Sequence, residues 1–288
     1  MSKQKIVVIG NGMVGHNFIE KLVASEGYDN FEVHTFCEEP RVAYDRVYLS
    51  SYFSGKTAED LTLVKPKFYE NNGVNIYIND KAVDIDRSAK TVTSEAGITI
   101  SYDKLVMATG SYPFVPPIEG NNRDGCLVYR TIEDLDAMKE VAARGKVGVV
   151  VGGGLLGLEA AKALVDLGLD THVVEFAPRL MPVQLDDGGA ALLKRKIENL
   201  GVTVHTSKAT TMITDGQHCM NKMVFADGEE LETDMVLFSA GIRPRDDLGA
   251  KVGLELGPRG GILIDNQCRT NDPNVFAIGE CALHDGMI

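Results

Sequence analysis

One pattern occurs twice in this chain, and it constrains the fold more than any other feature. The first copy reads KIVVIG, MVGHNFIEKLVA and FEVHTFC. The second reads KVGVVVGGG, LLGLEAAKALVDLG and THVVEF, about 140 residues later. Each is an apolar run, a glycine turn, a helical pattern and a second apolar run. The runs are rich in Val and Ile and do not alternate with polar residues, the signature of parallel strands buried on both faces. Two such β–α–β units in 288 residues agree with two domains of roughly 150 residues each.

The turns carry the chemistry. Gly10-x-Gly12-x-x-Gly15 follows the first strand. Its first glycine permits a tight turn, its second lets the backbone approach a pyrophosphate, and its third lets helix and strand touch. The helix starting near Met13 aims its N–H groups and positive dipole end at the phosphates. An acid about 20 residues on should accept the ribose hydroxyls. Glu38 lies 23 residues after Gly15, with Glu39 beside it, while Cys37 holds the position often taken by that acid. In the second copy, Gly152-x-Gly154-x-x-Gly157 runs through Leu155 and Leu156 and is followed by Glu159. Glu175 closes the next strand, where a carboxylate bonds a ribose 2′-hydroxyl and repels a 2′-phosphate. The pattern favours NADH over NADPH, and Arg179, four residues on, keeps NADPH open.

Between the copies, AVDIDRSAKTVTSEAGITISYDKLVMATG alternates with period 2 and reads as an antiparallel meander that returns to the first sheet. Thr131-x-x-Asp134 resembles a capping box ahead of a helix. The second unit closes near MVLFSAGIRPRDD, a strand followed by the glycine turn at Gly241. The expected fold class is therefore α/β: two Rossmann-like dinucleotide-binding domains with parallel sheets, each with a small antiparallel meander. The first is discontinuous, residues 1–115 plus 246–288, and the second, 116–245, is inserted in it.

Composition narrows the function classes. Lys and Arg number 29 against 41 Asp and Glu, a formal net charge of -12. That field repels a nucleic-acid duplex or an anionic membrane, so neither is expected as a partner. No apolar run approaches the roughly 20 residues of a membrane helix. The N-terminal apolar stretch breaks into glycine without a cleavage-site pattern, so it is not read as a signal peptide. The five cysteines are scattered, and no pair shows C-x-x-C or C-x-x-x-x-C spacing. A disulfide framework, a zinc site and a redox dithiol lose support together. No metal site is expected, and the chain reads as a reduced, cytoplasmic protein.

Two dinucleotide folds, with Ala108-Thr109-Gly110 after a strand in the gap, resemble the FAD- and NAD-dependent pyridine nucleotide-disulfide oxidoreductase superfamily. The late segment from Thr270 to Gly279 and Glu280 looks like the superfamily's second FAD motif, whose final acid meets the ribityl hydroxyls. Most members have aspartate where this chain has Glu280. The resemblance implies that the first copy holds FAD and the second the nicotinamide cofactor, with Val83 and Arg46 among the FAD contacts. A closer likeness lies in FCEEPRVAYDRVYLSSYFS, YRTIEDL, VGGGLLGLEAA, HVVEFAPRLM and GIRPRD. Together these resemble the N-terminal flavoprotein part of the NAD(P)H-dependent nitrite reductase large-subunit family. That family passes electrons from NADH through FAD and iron–sulfur centres to a sirohaem that reduces nitrite to ammonia.

The departures carry information too. Disulfide reductases and peroxidases of the superfamily have cysteine where this chain has Leu49-Ser50-Ser51. Rubredoxin- and ferredoxin-reductase relatives have a lysine at Ser51, so an ion pair between that lysine and Glu159 does not carry over. The chain ends eight residues after Glu280 and holds no cysteine cluster for iron–sulfur or sirohaem binding. It is read as a fragment able to host electron input but not the nitrite chemistry. Its partners would be NADH, the iron–sulfur and sirohaem domains of a longer chain, and a small subunit.

The expected reaction is hydride transfer from nicotinamide to flavin, with Glu159 as the candidate for orienting the nicotinamide end. Two other readings stand beside it. One is a stand-alone ferredoxin or rubredoxin reductase or NADH oxidase. The other is a non-catalytic nucleotide-binding interaction protein. His16, at a helix start, is read as a packing residue.

Overall fold

The structure, a computed structural model, describes residues 3–287. Contacts divide these into two compact units. The first takes the residues up to 45, then 59–112, and those from 243 on; the second takes 46–58 and 113–242. Among the described residues, no helix is long and apolar enough to cross a membrane.

The first unit is built on a five-stranded parallel sheet. Its order is Val275–Ala277, Lys104–Met107, Gln4–Ile9, Phe31–Cys37 and Asn75–Ile78. Successive side chains on a strand point to opposite faces. Val7 and Ile9 therefore join Leu105 and Met107 under Ile85 and Val92 of the meander. Ile6 and Val8 point the other way, to Val33, Val106 and Ile19 of the helix Met13–Val23. Both faces are covered, which is why these strands read as unbroken apolar runs. Full burial of each such side chain contributes about 1.5–3 kcal/mol. The meander Ala82–Asp86, Thr91–Ser94 and Thr99–Ser101 is antiparallel.

The second unit repeats the plan. Its parallel sheet runs Val202–His205, Asp170–Val174, Val147–Val151, Met235–Phe238 and Cys126–Val128. A second antiparallel meander, Thr210–Asp215, Asn221–Phe225 and Glu230–Thr233, lays Ile213, Met223 and Phe225 on Val149, Val174 and Val236. On the helix Leu155–Asp166 the buried residues apart from Leu164 are small, Gly157, Ala160, Ala161 and Ala163, so the helix can lie close to its sheet. The helix Ile132–Ala142 opens on the expected capping box. The Asp134 amide donates to Thr131 Oγ1 at 3.2 Å, and the Asp134 carboxylate accepts from the Thr131 amide at 2.8 Å. Such a cap is worth about 1 kcal/mol.

Residues 46–58 interrupt the first unit's sequence yet pack on the second. Tyr52 donates its phenol proton to Asp136 at 2.7 Å, and the Lys139 ammonium stands 3.6 Å above the Tyr52 ring. Arg46 donates to the Arg130 carbonyl at 2.8 Å.

Candidate dinucleotide-binding sites

In the first unit the glycine turn joins the strand Gln4–Ile9 to the helix Met13–Val23. Gly10 has φ +107°, and a Cβ added there would stand 2.3 Å from the Ala108 carbonyl oxygen. A Cβ on Gly15 would stand 2.1 Å from the Gly10 carbonyl oxygen. Gly12 is different: nothing lies within 4 Å of the Cβ it lacks. Two of the glycines are required by the chain's own backbone, whereas the third leaves space at the start of a helix. No side chain caps that helix, so its first N–H groups remain available to an anion.

The second unit repeats this geometry. Gly152 has φ +118°, with the Ser239 carbonyl oxygen 2.3 Å from its missing Cβ. A Cβ on Gly157 would lie 1.9 Å from the Gly152 carbonyl oxygen, while that of Gly154 would meet nothing within 4 Å. Gly154 is again an N-cap without a side-chain cap, and Leu155 and Leu156 are exposed beside it. Both turns thus leave open space at a helix start without a side-chain cap.

Glu38 and Glu39 take separate paths. Glu38 lines a cleft of about 500 Å³ together with Gly10, Val83, Thr109 and Tyr112. Glu39 does not line it; its Oε2 accepts the Tyr44 hydroxyl at 2.7 Å. The Cys37 thiol is buried and points to the carbonyls of Glu39 and Arg41. The cleft holds three cations that sequence reasoning missed: Lys81, Arg245 and Lys251. Lys81 Nζ lies 3.3 Å from Glu38 Oε1, Arg245 pairs with Oε2, and Lys251 donates to the Val83 carbonyl at 3.2 Å. No spacing rule links residue 245 to residue 38. The only available signal was the quoted GIRPRD, which contains Arg245.

Of the other residues expected at the first cradle, Thr109, Gly110, Gly279 and Glu280 follow the neighbouring strands Lys104–Met107 and Val275–Ala277, whereas Arg46 lies on the second unit. Thr109 donates its hydroxyl to the Arg245 carbonyl at 2.6 Å, and the Gly110 carbonyl accepts from the Arg245 amide at 2.9 Å. Gly279 has φ +75°, and its missing Cβ would touch Val14 at 3.2 Å, in the first turn of the cradle helix. Glu280 follows and accepts the Ser111 hydroxyl at 2.8 Å. His16 is buried, with Nδ1 3.0 Å from the Tyr69 hydroxyl and its ring edge-on to Phe68. Burial lowers its pKa, so it packs as a neutral ring.

In the second unit, Glu175 accepts the Gly153 amide at 2.6 Å and the Ala177 amide at 2.7 Å. These bonds fix the carboxylate beside the glycine turn and leave it further lone pairs for a hydroxyl. Arg179 is tied up nearby, donating to Asp187 at 2.9 Å and to the Leu185 and Pro182 carbonyls. Glu159 accepts the Ser50 hydroxyl at 2.8 Å, so Ser50, next to the noted Ser51, reaches this carboxylate. Gly241 has φ +108° and follows the strand Met235–Phe238; its carbonyl accepts the Phe114 amide at 2.9 Å. Arg46 clusters here, on the second unit.

A family model for pyridine nucleotide-disulphide oxidoreductases matches residues 4–287. Over 283 residues the chain is 56% identical to the nitrite reductase (NADH) large subunit of Escherichia coli, covering 98% of this chain and 33% of that protein. It is 32% identical to the rubredoxin-NAD(+) reductase of Pseudomonas putida, covering 96% of this chain and 72% of that one. The solved ferredoxin reductase of Rhodopseudomonas palustris superimposes with a TM-score of 0.91 at 27% identity, over 98% of this chain and 69% of that one. The chain spans about a third of the length of the nitrite reductase large subunits it matches. With nearly its whole length matched by the family model, the chain belongs to the pyridine nucleotide-disulphide oxidoreductases.

Proposed function

We propose that this chain is the NADH-oxidising flavoprotein module of a nitrite reductase, holding FAD on its first unit and NADH on its second. The observation that carries the reading is the pair of cradles, in which Gly12 and Gly154 alone leave open space at an uncapped helix start. Bound FAD would supply an acceptor that takes two electrons together and releases them singly.

The chain's own residues bind and orient. The turns at Gly10–Gly15 and Gly152–Gly157 would take the two pyrophosphates on backbone N–H groups. Glu38 would accept ribose hydroxyls of FAD, and Glu280 would face its ribityl chain. Glu175 would accept the NADH ribose 2′-hydroxyl and disfavour a 2′-phosphate. Glu159, one turn into its helix, would orient the nicotinamide end. No acid, base or nucleophile is needed for hydride transfer between two held rings; positioning removes much of the barrier. Electrons would then pass to iron–sulfur and sirohaem centres on the remainder of a longer chain and its small subunit, reducing nitrite to ammonia. The scattered cysteines fit a reducing, cytoplasmic setting.

An anaerobic titration of the FAD-loaded protein with NADH tests this reading. One equivalent should bleach the visible flavin band, and an unbleached flavin would overturn it. A second reading, electron delivery to rubredoxin, is favoured by the 72% coverage of rubredoxin-NAD(+) reductase. Rapid rubredoxin reduction by this chain alone would select it.

A further inference from the structure

Among the described residues, Glu159 forms no ion pair. Ser50 donates to Oε1 at 2.8 Å, and among the described residues no hydrogen bond or ion pair reaches Oε2. The carboxylate is only half-buried, so Oε2 remains open to a donor from outside. Tyr129 is 9% exposed, and among the described residues its enclosed hydroxyl has no hydrogen-bond partner. Burial pushes the Tyr129 pKa up and the Glu159 charge pushes it further, while the Ser50 hydroxyl acts in the opposite direction. Ser50 has one proton and gives it to Glu159; its lone pairs stay available to the Tyr129 hydroxyl.

A relay of neutral hydroxyls fixes a carboxylate without neutralising it. At its nicotinamide end, away from the adenine, the dinucleotide carries a single N–H donor group, the primary carboxamide on the ring. We propose that Ser50, backed by Tyr129, positions Glu159 so that Oε2 accepts the carboxamide amino group of the nicotinamide. This inference rests on the reading of the second cradle as the NADH site. Ser50 and Tyr129 act through Glu159 and are positioning residues.

The test is calorimetric binding to the purified protein of three ligands: NADH, its reduced 3-acetylpyridine analogue, and ADP-ribose. The analogue replaces the amino group with a methyl, and ADP-ribose lacks the ring. The unaltered protein should prefer NADH to the analogue by about tenfold, the worth of one hydrogen bond to a charged group. Ser50→Ala should bring the two within about twofold, Ser50→Thr should restore the preference, and Tyr129→Phe should reduce it less. ADP-ribose should bind all four proteins alike, which also reports an intact second unit. An undiminished preference in Ser50→Ala overturns the positioning role and leaves the NADH reading standing. Failure of the unaltered protein to bind either NADH or ADP-ribose overturns both.

Discussion

Arg245 forms an ion pair with Glu38 across 207 residues of sequence, on the wall of the first unit's cleft. The same residue's backbone is tied to Thr109 and Gly110, so one position links the ATG turn to Glu38. Both charged groups are well over a third exposed, which limits the pair's contribution to stability to about 0–1 kcal/mol. Arg245→Ala should therefore leave the melting temperature within about 4 °C of the parent. FAD affinity should fall by about tenfold, as it should for Glu38→Gln, because the charged acceptor is lost or unaimed. Flavin fluorescence during dilution measures the release.

The glycines separate folding from binding. Gly15→Ala and Gly157→Ala place a methyl about 2 Å from a backbone carbonyl oxygen and should destabilise their units by roughly 2–3 kcal/mol or more. Gly12→Ala and Gly154→Ala meet open space and should unfold at parental temperatures. These two should nevertheless lose FAD and NADH binding respectively, because the methyl fills the path of the pyrophosphate. Thermal unfolding paired with ligand binding reads both effects. A Gly154→Ala protein that binds NADH normally would count against the cradle.

On the proposed function, Glu175 sets coenzyme choice. Glu175→Gln should raise the NADPH-to-NADH ratio of kcat/KM by about tenfold, through lost repulsion and a weaker, uncharged acceptor for the 2′-hydroxyl. Arg179 should not add to this while Asp187 and two carbonyls hold it. Adding Asp187→Ala should let it contribute, and steady-state kinetics with each coenzyme would show the further rise.

Acid should weaken the protein in a defined window. Burial depresses the pKa values of His16, His172 and His205 below the ordinary 6.5. The unfolded chain therefore binds more protons than the native one between those lowered values and 6.5. Stability from these rings is fully present above 6.5 and is lost as pH falls below it. His172 and His205 stack and share a hydrogen bond at 3.0 Å, which two protonated rings could not make. Melting temperature should drop as pH falls below about 6.5, and His172→Gln should flatten that drop. Asp234 and Asp272, whose pKa values are lowered, act only in a more acidic range.

Much of this architecture is local in origin and so was readable in the sequence. The strand, turn and helix of each copy are neighbours in the chain, and the glycine spacing follows from contacts within a few residues. The capping box at Thr131 and Asp134 is equally local. What escaped were partners distant in sequence. Arg245 reaches Glu38, and Ser50 reaches Glu159, only after the chain has folded. Hydropathy gives no sign that 46–58 pack on the second unit, because its contacts are made by single polar groups such as Tyr52 and Ser50. Glu38 and Glu39 were indistinguishable by spacing; strand geometry sends one into the cleft and the other to Tyr44.

The first sheet gains its edge strand, Val275–Ala277, only through pairing with Lys104–Met107, about 170 residues earlier. The second unit needs nothing later than residue 242. During synthesis from the N-terminus, the later-encoded unit can thus finish its core while the earlier one waits with Lys104–Met107 exposed as an unpaired border. Such a border invites pairing with other nascent chains. Slow translation between residues 242 and 275 would prolong that vulnerable interval, making this stretch the place where ribosome pace and chaperone attendance decide the yield of native protein.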